Sequence, residues 1–497
     1  MSRPTGRLFR FRPPPTFASV KIPQVDPATE KSLNTLLWLV AVGFFMQTLD
    51  ATIVNTALPS MARSLGESPL RMQSVVVAYS LTMAMLIPAS GWIADRFGTR
   101  RVYVGAIALF VLGSVLCAVS SSLAQLVAAR VVQGLGGALL LPVGRLAVLR
   151  SFPRQMFLPA MSFISIPGLV GPLIGPTLGG WLVEYASWHW IFLINVPVGV
   201  IGCVATLVAM RGAPLPSAGR FDLAGYLMLA FGMVSISLAL DGLSGLGLRQ
   251  AGVLVLLVFG LASLAAYWLH AAKRPDPLFS PSLFSIPTLS IGLLGNLFSR
   301  LGSSCMPFLV PLLMQVGMGY SPLQAGLMML PVAIAGMAVK RLATPLITRA
   351  GYRRVLVANT LLVGLTMASF ALTFHGQPWW LLTLQLACFG AVNSLQFTAM
   401  NTLTLKDIDN ARASSGNSLL SMVQMLAMGM GVAAAGAVLA AFTGVFGSAS
   451  QAQTLATFHA TFACMGLITM ASAAIFWQLR GHERAPAGSA ADAADPG

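Results

Sequence analysis

Two charged residues sit where their surroundings do not welcome them. Asp50 lies in Leu49-Asp50-Ala51-Thr52-Ile53-Val54-Asn55-Thr56-Ala57-Leu58-Pro59, inside an apolar run that starts near Leu36. Read as helix at 1.5 Å per residue, this places the carboxyl ~21 Å from the start of the run, past the middle of a ~30 Å hydrocarbon layer. A charge at that depth costs about 2.5–3.5 kcal/mol on insertion scales, so it faces protein or water and has a task. The chemistry open to it is the uptake and release of a proton. The second residue, Arg130, lies in Leu126-Val127-Ala128-Ala129-Arg130-Val131-Val132-Gln133-Gly134-Leu135-Gly136-Gly137. A guanidinium keeps its proton, so inside a membrane it needs an anion or carbonyls. Arg130 is therefore the expected tuner of Asp50.

Other chemistries find no support. Cys117, Cys203, Cys305, Cys388 and Cys464 each lie in an apolar run, and no pair has metal-ligand spacing, so packing is their expected role. The chain shows no catalytic triad, no Gly-Lys-Ser/Thr phosphate loop and no metal constellation. The expectation is neither an enzyme nor an ATP-driven pump, with no cofactor and no metal.

Positioning these residues falls to membrane helices. The 497 residues are 56% hydrophobic and only 9% charged, against ~25% charged in a soluble domain. Fourteen apolar runs long enough to span recur between residues 35 and 478. They predict an all-α polytopic protein, a lipid bilayer as its surroundings, and both termini on one side. Of the 30 Lys and Arg residues, 22 fall on the tails and alternate loops of one face, and Arg63, Arg71 and Arg249 on the other. The positive-inside rule puts both termini in the cytoplasm and the chain in the inner (plasma) membrane. It also explains the net charge of +16 without nucleic acid. Residues 1–34, with Arg3, Arg7, Arg10 and Arg12 beside Pro13-Pro14-Pro15, carry no secretory signal and read as a disordered cytoplasmic tail. Residues 481–497 read as a second.

The chain also repeats itself. Asp95-Arg96-Phe97-Gly98-Thr99-Arg100-Arg101 follows the second run, and Thr348-Arg349-Ala350-Gly351-Tyr352-Arg353-Arg354 follows the tenth. The shared Arg-x-Gly-x-Arg-Arg spacing implies duplication: six-helix bundles over 35–210 and 287–480, with a linker over 211–286 carrying two inserted helices. Within the first loop, Gly91 would permit close helix approach and Gly98 a sharp turn. Asp95 would sit at a helix N-terminus or pair with a nearby Arg, forming a conformational latch with Arg96, Arg100 and Arg101. In the fifth run, Gly171-Pro172-Leu173-Ile174-Gly175-Pro176-Thr177-Leu178-Gly179-Gly180 combines kinking prolines with a flat glycine face. Packing or a bending gate helix would account for Gly171, Gly175, Pro176, Gly179 and Gly180.

The strings Gly91–Arg101, Arg130–Gly137 and Gly171–Gly180 resemble the loop, proton-coupling and antiporter motifs of the major facilitator superfamily. Leu49–Pro59 and Trp188-His189-Trp190-Ile191-Phe192-Leu193-Ile194-Asn195-Val196-Pro197-Val198-Gly199 resemble motifs of its fourteen-helix drug:proton antiporter branch. The resemblance covers nearly all of residues 35–480. It implies the major facilitator fold and proton-driven export of small molecules, multiple drugs foremost, by alternating access in a monomer. Thr348 stands where the second loop motif would carry an acid, and no membrane-embedded Arg accompanies Gln424.

The charge inventory leaves the substrate open. Arg130, Arg145, Arg300, Lys340 and Arg341 fall inside runs, whereas Asp50 is the acid placed deep. That balance suits neutral or anionic compounds, such as a carboxylate or a metal–carboxylate complex, better than organic cations. Arg300, Asn296, Asn393 and Gln396 are the expected substrate-cavity residues; interhelical hydrogen bonds are the alternative for the amides. A non-transporting membrane sensor is the third reading.

Overall fold

The computed structural model describes residues 27–152, 156–210, 221–242, 250–409, 412–447 and 449–479. The tail expected over 481–497 lies outside them. The tail expected over 1–34 does so only up to residue 26, because the first helix, α1, starts at Pro27 and ends at Leu65. Proline's fixed φ and missing N–H suit a first helical position, so residues 27–34 are its opening turns.

Among the described residues, thirteen helices are long and apolar enough to cross a membrane. They are α1, α2 (Gln73–Phe97), α3 (Thr99–Ala118), α4 (Leu123–Ser151), α6 (Trp190–Val208), α7 (Leu223–Gly242), α8 (Gln250–Lys273), α9 (Pro287–Gly317), α10 (Pro322–Ala350), α11 (Tyr352–Leu372), α12 (Trp379–Leu405), α13 (Ala413–Phe446) and α14 (Gln451–Trp477). The 29-residue helix α5 (Phe157–Tyr185) completes the expected set of fourteen. Two breaks in the helices fall beside prolines, which remove a backbone donor. A 3₁₀ turn at Ile87–Ala89 contains Pro88, and α9 carries Pro311 just before a π turn at Leu313–Gly317.

α1 packs along α5, α4 and α6; α3 lies on α4 and α6, and α2 on α4. The later helices mirror this: α9 packs on α13, α12 and α14, α10 on α12, and α11 on α14 and α12. The basic loops also correspond in conformation. Gly98 has φ 86°, ψ 138° and Gly351 φ 79°, ψ 156°, a region that L side chains rarely enter. α7 pairs with α8 and rests on both α2 and α13. Leu229 and Met233 of α7 share an apolar cluster with Leu419, Leu420 and Met422 of α13, against Leu81 and Met85 of α2.

The two six-helix sets approach each other through α2 with α13, α5 with α10, and α1 with α9. Their tightest approach lies at the end opposite the basic loops. There Gly180 faces the Pro322 carbonyl, Gly326 faces that of Pro176, and Gln315 Nε2 donates to Thr56 O at 2.9 Å.

Candidate functional site: a buried carboxylate and its donors

Asp50 and Arg130 are 0% and 1% exposed, and they pair: Arg130 Nη1 donates to Asp50 Oδ2 at 2.6 Å. Burying two charges is costly unless the geometry is good and the remaining donors are matched. Here they are. Gln133 Nε2 donates to Asp50 Oδ1 at 2.8 Å, Asn195 Nδ2 donates to the same oxygen at 3.2 Å, and Arg130 Nε donates to Val75 O at 3.3 Å. Gln133 Oε1 accepts a second bond from Arg130 Nη1 at 2.6 Å. Ser114 Oγ accepts from Gln133 Nε2 at 2.9 Å and from Asn195 Nδ2 at 3.4 Å, while donating to Phe110 O. The guanidinium carbon lies 4.1 Å from the Tyr79 ring centroid, a cation–π contact that helps hold the charge out of water.

Five helices meet here because glycines let them. Gly113 of α3 lies against the Gln133 backbone, and Gly136 of α4 against the backbone at Ala106 and Phe110. A side chain at either would drive α3 from α4 and separate Ser114 from Gln133. Gly134 and Gly137 of α4 similarly admit Thr82 and Tyr79 of α2.

Three N–H donors, from Arg130, Gln133 and Asn195, converge on the Asp50 carboxyl oxygens. Arg130 also holds Val75 O, Gln133 Oε1 and the face of Tyr79, so the guanidinium has partners besides Asp50.

Gln133 was within reach of sequence reasoning, since it lies three residues after Arg130 on the same helix face. Asn195 stands in one of the quoted motif strings with no role assigned to it. Ser114 and Tyr79 carry no such signal.

The loop residues divide. Asp95 pairs with Arg150 of α4, and the Arg100 guanidinium donates to Leu207 O at the end of α6, a place that favours a cation. Both contacts stay within the first six-helix set. Arg96 and Arg101 are exposed. Gly98 makes the expected turn, but Gly91 does not serve close approach: a Cβ there would meet nothing within 4 Å.

The α5 stripe lies on α1. Gly168 faces Phe44, Gly171 faces Thr48 and Leu49, Gly175 faces Thr52, and Gly179 faces Ile53. Gly180 instead points across to α10, where Thr177 Oγ1 also donates to Gly326 O at 3.1 Å.

In the second set, Gln396 does not line a cavity. It is 1% exposed and fully used inside the bundle, accepting from Asn359 Nδ2 at 2.8 Å and donating to Thr360 Oγ1 at 2.6 Å. Asn296, also buried, donates to Gly292 O and Thr404 Oγ1. Its Oδ1 accepts from Gln424 Nε2 at 3.4 Å and from Arg300 Nε at 3.2 Å. Asn393 is half-buried on α12. Arg300 lies over the Phe397 ring at 4.4 Å, its Nη2 buried without a hydrogen-bond partner and no carboxylate beside it among the described residues. Two further buried acids lie just before α7 and in its last turn. Asp241 accepts from Gln73 Nε2 at 2.9 Å, and Asp222 accepts from His270 Nε2 at 2.9 Å with Arg274 Nε at 3.5 Å.

Membrane-length helices in two mirrored sets, with an ion pair sealed inside one set, define a polytopic all-α membrane protein of the transporter type. The Major Facilitator Superfamily profile matches residues 40–432, and the chain belongs to that superfamily. It is 52% identical over 445 residues to "Putative multidrug resistance protein MdtD" of Serratia proteamaculans, covering 90% of this chain and 93% of that one. It is 51% identical over 440 residues to the like-named protein of Cronobacter sakazakii, covering 88% and 93%. A POT family transporter in complex with 5-aminolevulinic acid superposes with a TM-score of 0.65 at 15% identity, over 90% of this chain and 95% of that one. The human organic anion transporter MFSD10 (TETRAN) superposes with a TM-score of 0.58, also at 15% identity, over 89% and 99%. These two likenesses concern the fold alone.

Proposed function

We propose that the protein is a proton-driven exporter, exchanging protons for small molecules and moving multiple drugs out of the cytoplasm by alternating access. The observation that carries this is the Asp50 carboxylate: fully buried in a membrane-length helix, paired at 2.6 Å with an equally buried Arg130. The names of the half-identical relatives supply the drug part of the reading. Protons enter Asp50 from the outer side and leave inward, and Arg130 holds the site between arrivals. One elementary charge crossing ~150 mV supplies ~3.5 kcal/mol, enough for a concentration ratio of a few hundred-fold. In this reading the sets 35–210 and 287–480 rock against each other as a monomer in the inner membrane, with both termini in the cytoplasm. The Asp95–Arg150 contact steadies the inner end of the first set.

The test is purified protein in liposomes with an imposed pH gradient. Dye-dependent proton flux supports the proposal; dye movement without proton movement removes the coupling. A second reading, export of an anionic metabolite or metal–carboxylate complex, is favoured by Arg300, a half-buried cation with no carboxylate beside it among the described residues. Competition between cationic dyes and tricarboxylates in the same liposomes separates the two.

A further inference from the structure

The N-terminus of α10 has one backbone donor that its own helix does not satisfy. Ser321 is the N-cap; its hydroxyl accepts from Gln324 N at 3.2 Å, and Gln324 Oε1 returns a bond from Ser321 N at 3.0 Å. Pro322, in the first position, has no N–H. Ala325 N bonds to Ser321 O at 2.9 Å. That leaves Leu323 N–H among the orphan donors of a helix start. Its partner comes from the other six-helix set: Glu184 Oε2, at the far end of α5, accepts it at 3.0 Å. The carboxylate thus sits on the positive end of the α10 dipole, where an anion is stabilising.

Three hydrogen bonds join the two sets among the described residues: Leu323 N to Glu184, Thr177 Oγ1 to Gly326 O, and Gln315 Nε2 to Thr56 O. All three lie at the end opposite the basic loops, and each joins a side chain to backbone. Glu184 supplies the charge among them, and it is exposed. The loop acid Asp95, by contrast, bonds within its own set.

We propose that Glu184 is a latch of the outer gate: its carboxylate caps α10 only while the outer ends of α5 and α10 are together, and it biases the protein toward the outward-closed state. When the gate opens, water must replace Glu184 at Leu323 N–H. An exposed charge at a helix start is worth a factor of about two to five in an equilibrium. The latch therefore tunes the balance between states without locking it. The inference rests on the proposed rocking of the two sets, but not on proton coupling or on substrate identity.

The experiment is a pulsed electron-resonance distance measurement on the full chain in nanodiscs. Labels go on Arg63 of α1 and Ala452 of α14, both exposed, by a chemistry that spares the native cysteines. Glu184→Gln keeps an acceptor and loses the charge, Glu184→Ala loses both, and Glu184→Lys puts a cation on the dipole's positive end. The outward-open fraction is expected to rise in that order, by about two- to fivefold for Ala and more for Lys. High salt should shrink the differences, because the site is solvent-exposed. Two populations in the wild-type protein that none of the substitutions moves would overturn the latch alone. A single distance in wild type and in Glu184→Lys alike would overturn the latch and the rocking together.

Discussion

Gln133 stands between the two charges of the buried pair, its carbonyl taking a hydrogen bond from Arg130 at 2.6 Å and its amide giving one to Asp50 at 2.8 Å. The same amide nitrogen also reaches Ser114. One neutral side chain therefore fixes where the carboxylate and the guanidinium sit and ties both to α3.

Replacing Gln133 by Leu removes four buried hydrogen bonds, those with Arg130, Asp50, Ser114 and Cys117. Each of these groups loses a partner in a place that water does not reach, at a net cost of about 0.5–1.5 kcal/mol per bond. The variant should melt at a lower temperature in detergent and lose proton coupling. Gln133→Glu should be worse for coupling than for stability, since a second carboxylate competes with Asp50 for Arg130. Melting curves and pH-gradient flux on the two variants test this; coupling intact in Gln133→Glu would mean that Arg130 does not act through Asp50.

Asp50→Asn cannot be accommodated quietly despite its shape. Oδ2 of Asp50 faces an Arg130 donor, and Oδ1 faces donors from Gln133 and Asn195. Whichever way the amide turns, its NH₂ meets an N–H. Export against a gradient should vanish while insertion survives, and downhill exchange should persist. Uphill transport by this variant in pH-clamped vesicles would remove Asp50 from the mechanism.

The fold was legible in the sequence because length and hydropathy decide which segments cross a membrane, and basic loops mark their alternation. The Asp50–Arg130 pair was legible because two stranded charges of opposite sign need each other. Asn195 and Ser114 were not, because a short polar residue in an apolar helix satisfies its own backbone as easily as a neighbour, as Ser114 does with Phe110 O. Gln396 shows the same ambiguity resolved the other way, into bundle packing. Gly91 stood among residues whose spacing matched a motif, yet its open surroundings are a matter of where neighbouring helices end, which spacing does not encode. Glu184 gave no sign at all, since its partner is a backbone N–H 139 residues away.

If the Asp95–Arg150 contact is the latch of the basic loop, the two residues are interchangeable in effect. They are 36% and 27% exposed, so the pair is worth only about 0.2–1 kcal/mol. Asp95→Ala and Arg150→Ala should slow turnover to similar extents, and the swapped pair Asp95→Arg with Arg150→Asp should recover part of it. A defect in Asp95→Ala with normal turnover in Arg150→Ala would show that Asp95 acts through a different partner in another state.

The α5 stripe should separate packing from gating. A Cβ at Gly179 would meet the Ile53 carbonyl inside the first set, whereas one at Gly180 would meet the Pro322 carbonyl of the second. Both obstacles are backbone, so neither can swing aside. Gly179→Ala is expected to lower the melting temperature. Gly180→Ala is expected to leave it nearly unchanged and to raise solvent access to the outer end, read by labelling of a cysteine placed at Thr56. Equal melting losses in both would mean that α5 only packs.

Arg300 tests the sign of the substrate. It sits on α9, which meets the first helix set through Gln315 and Thr56, and it leans on Asn296 and the Phe397 ring with Nη2 unmatched. Asp50 offers it no charge, being taken by Arg130 at 2.6 Å. A half-buried cation of this kind gains from an anion that brings its own charge, and a planar fork fits a carboxylate with two parallel hydrogen bonds. Arg300→Gln should therefore weaken binding of tricarboxylates far more than that of cationic dyes, by roughly the 2–5 kcal/mol lost when one partner of a buried charge pair is removed. Arg300→Lys should keep part of the affinity, because the charge remains and the fork does not. Binding isotherms for one tricarboxylate and one cationic dye on the three proteins decide it. Tighter dye binding in Arg300→Gln would fit the relief of like-charge repulsion, whereas equal losses for anion and cation would assign Arg300 to the packing of α9 against α12.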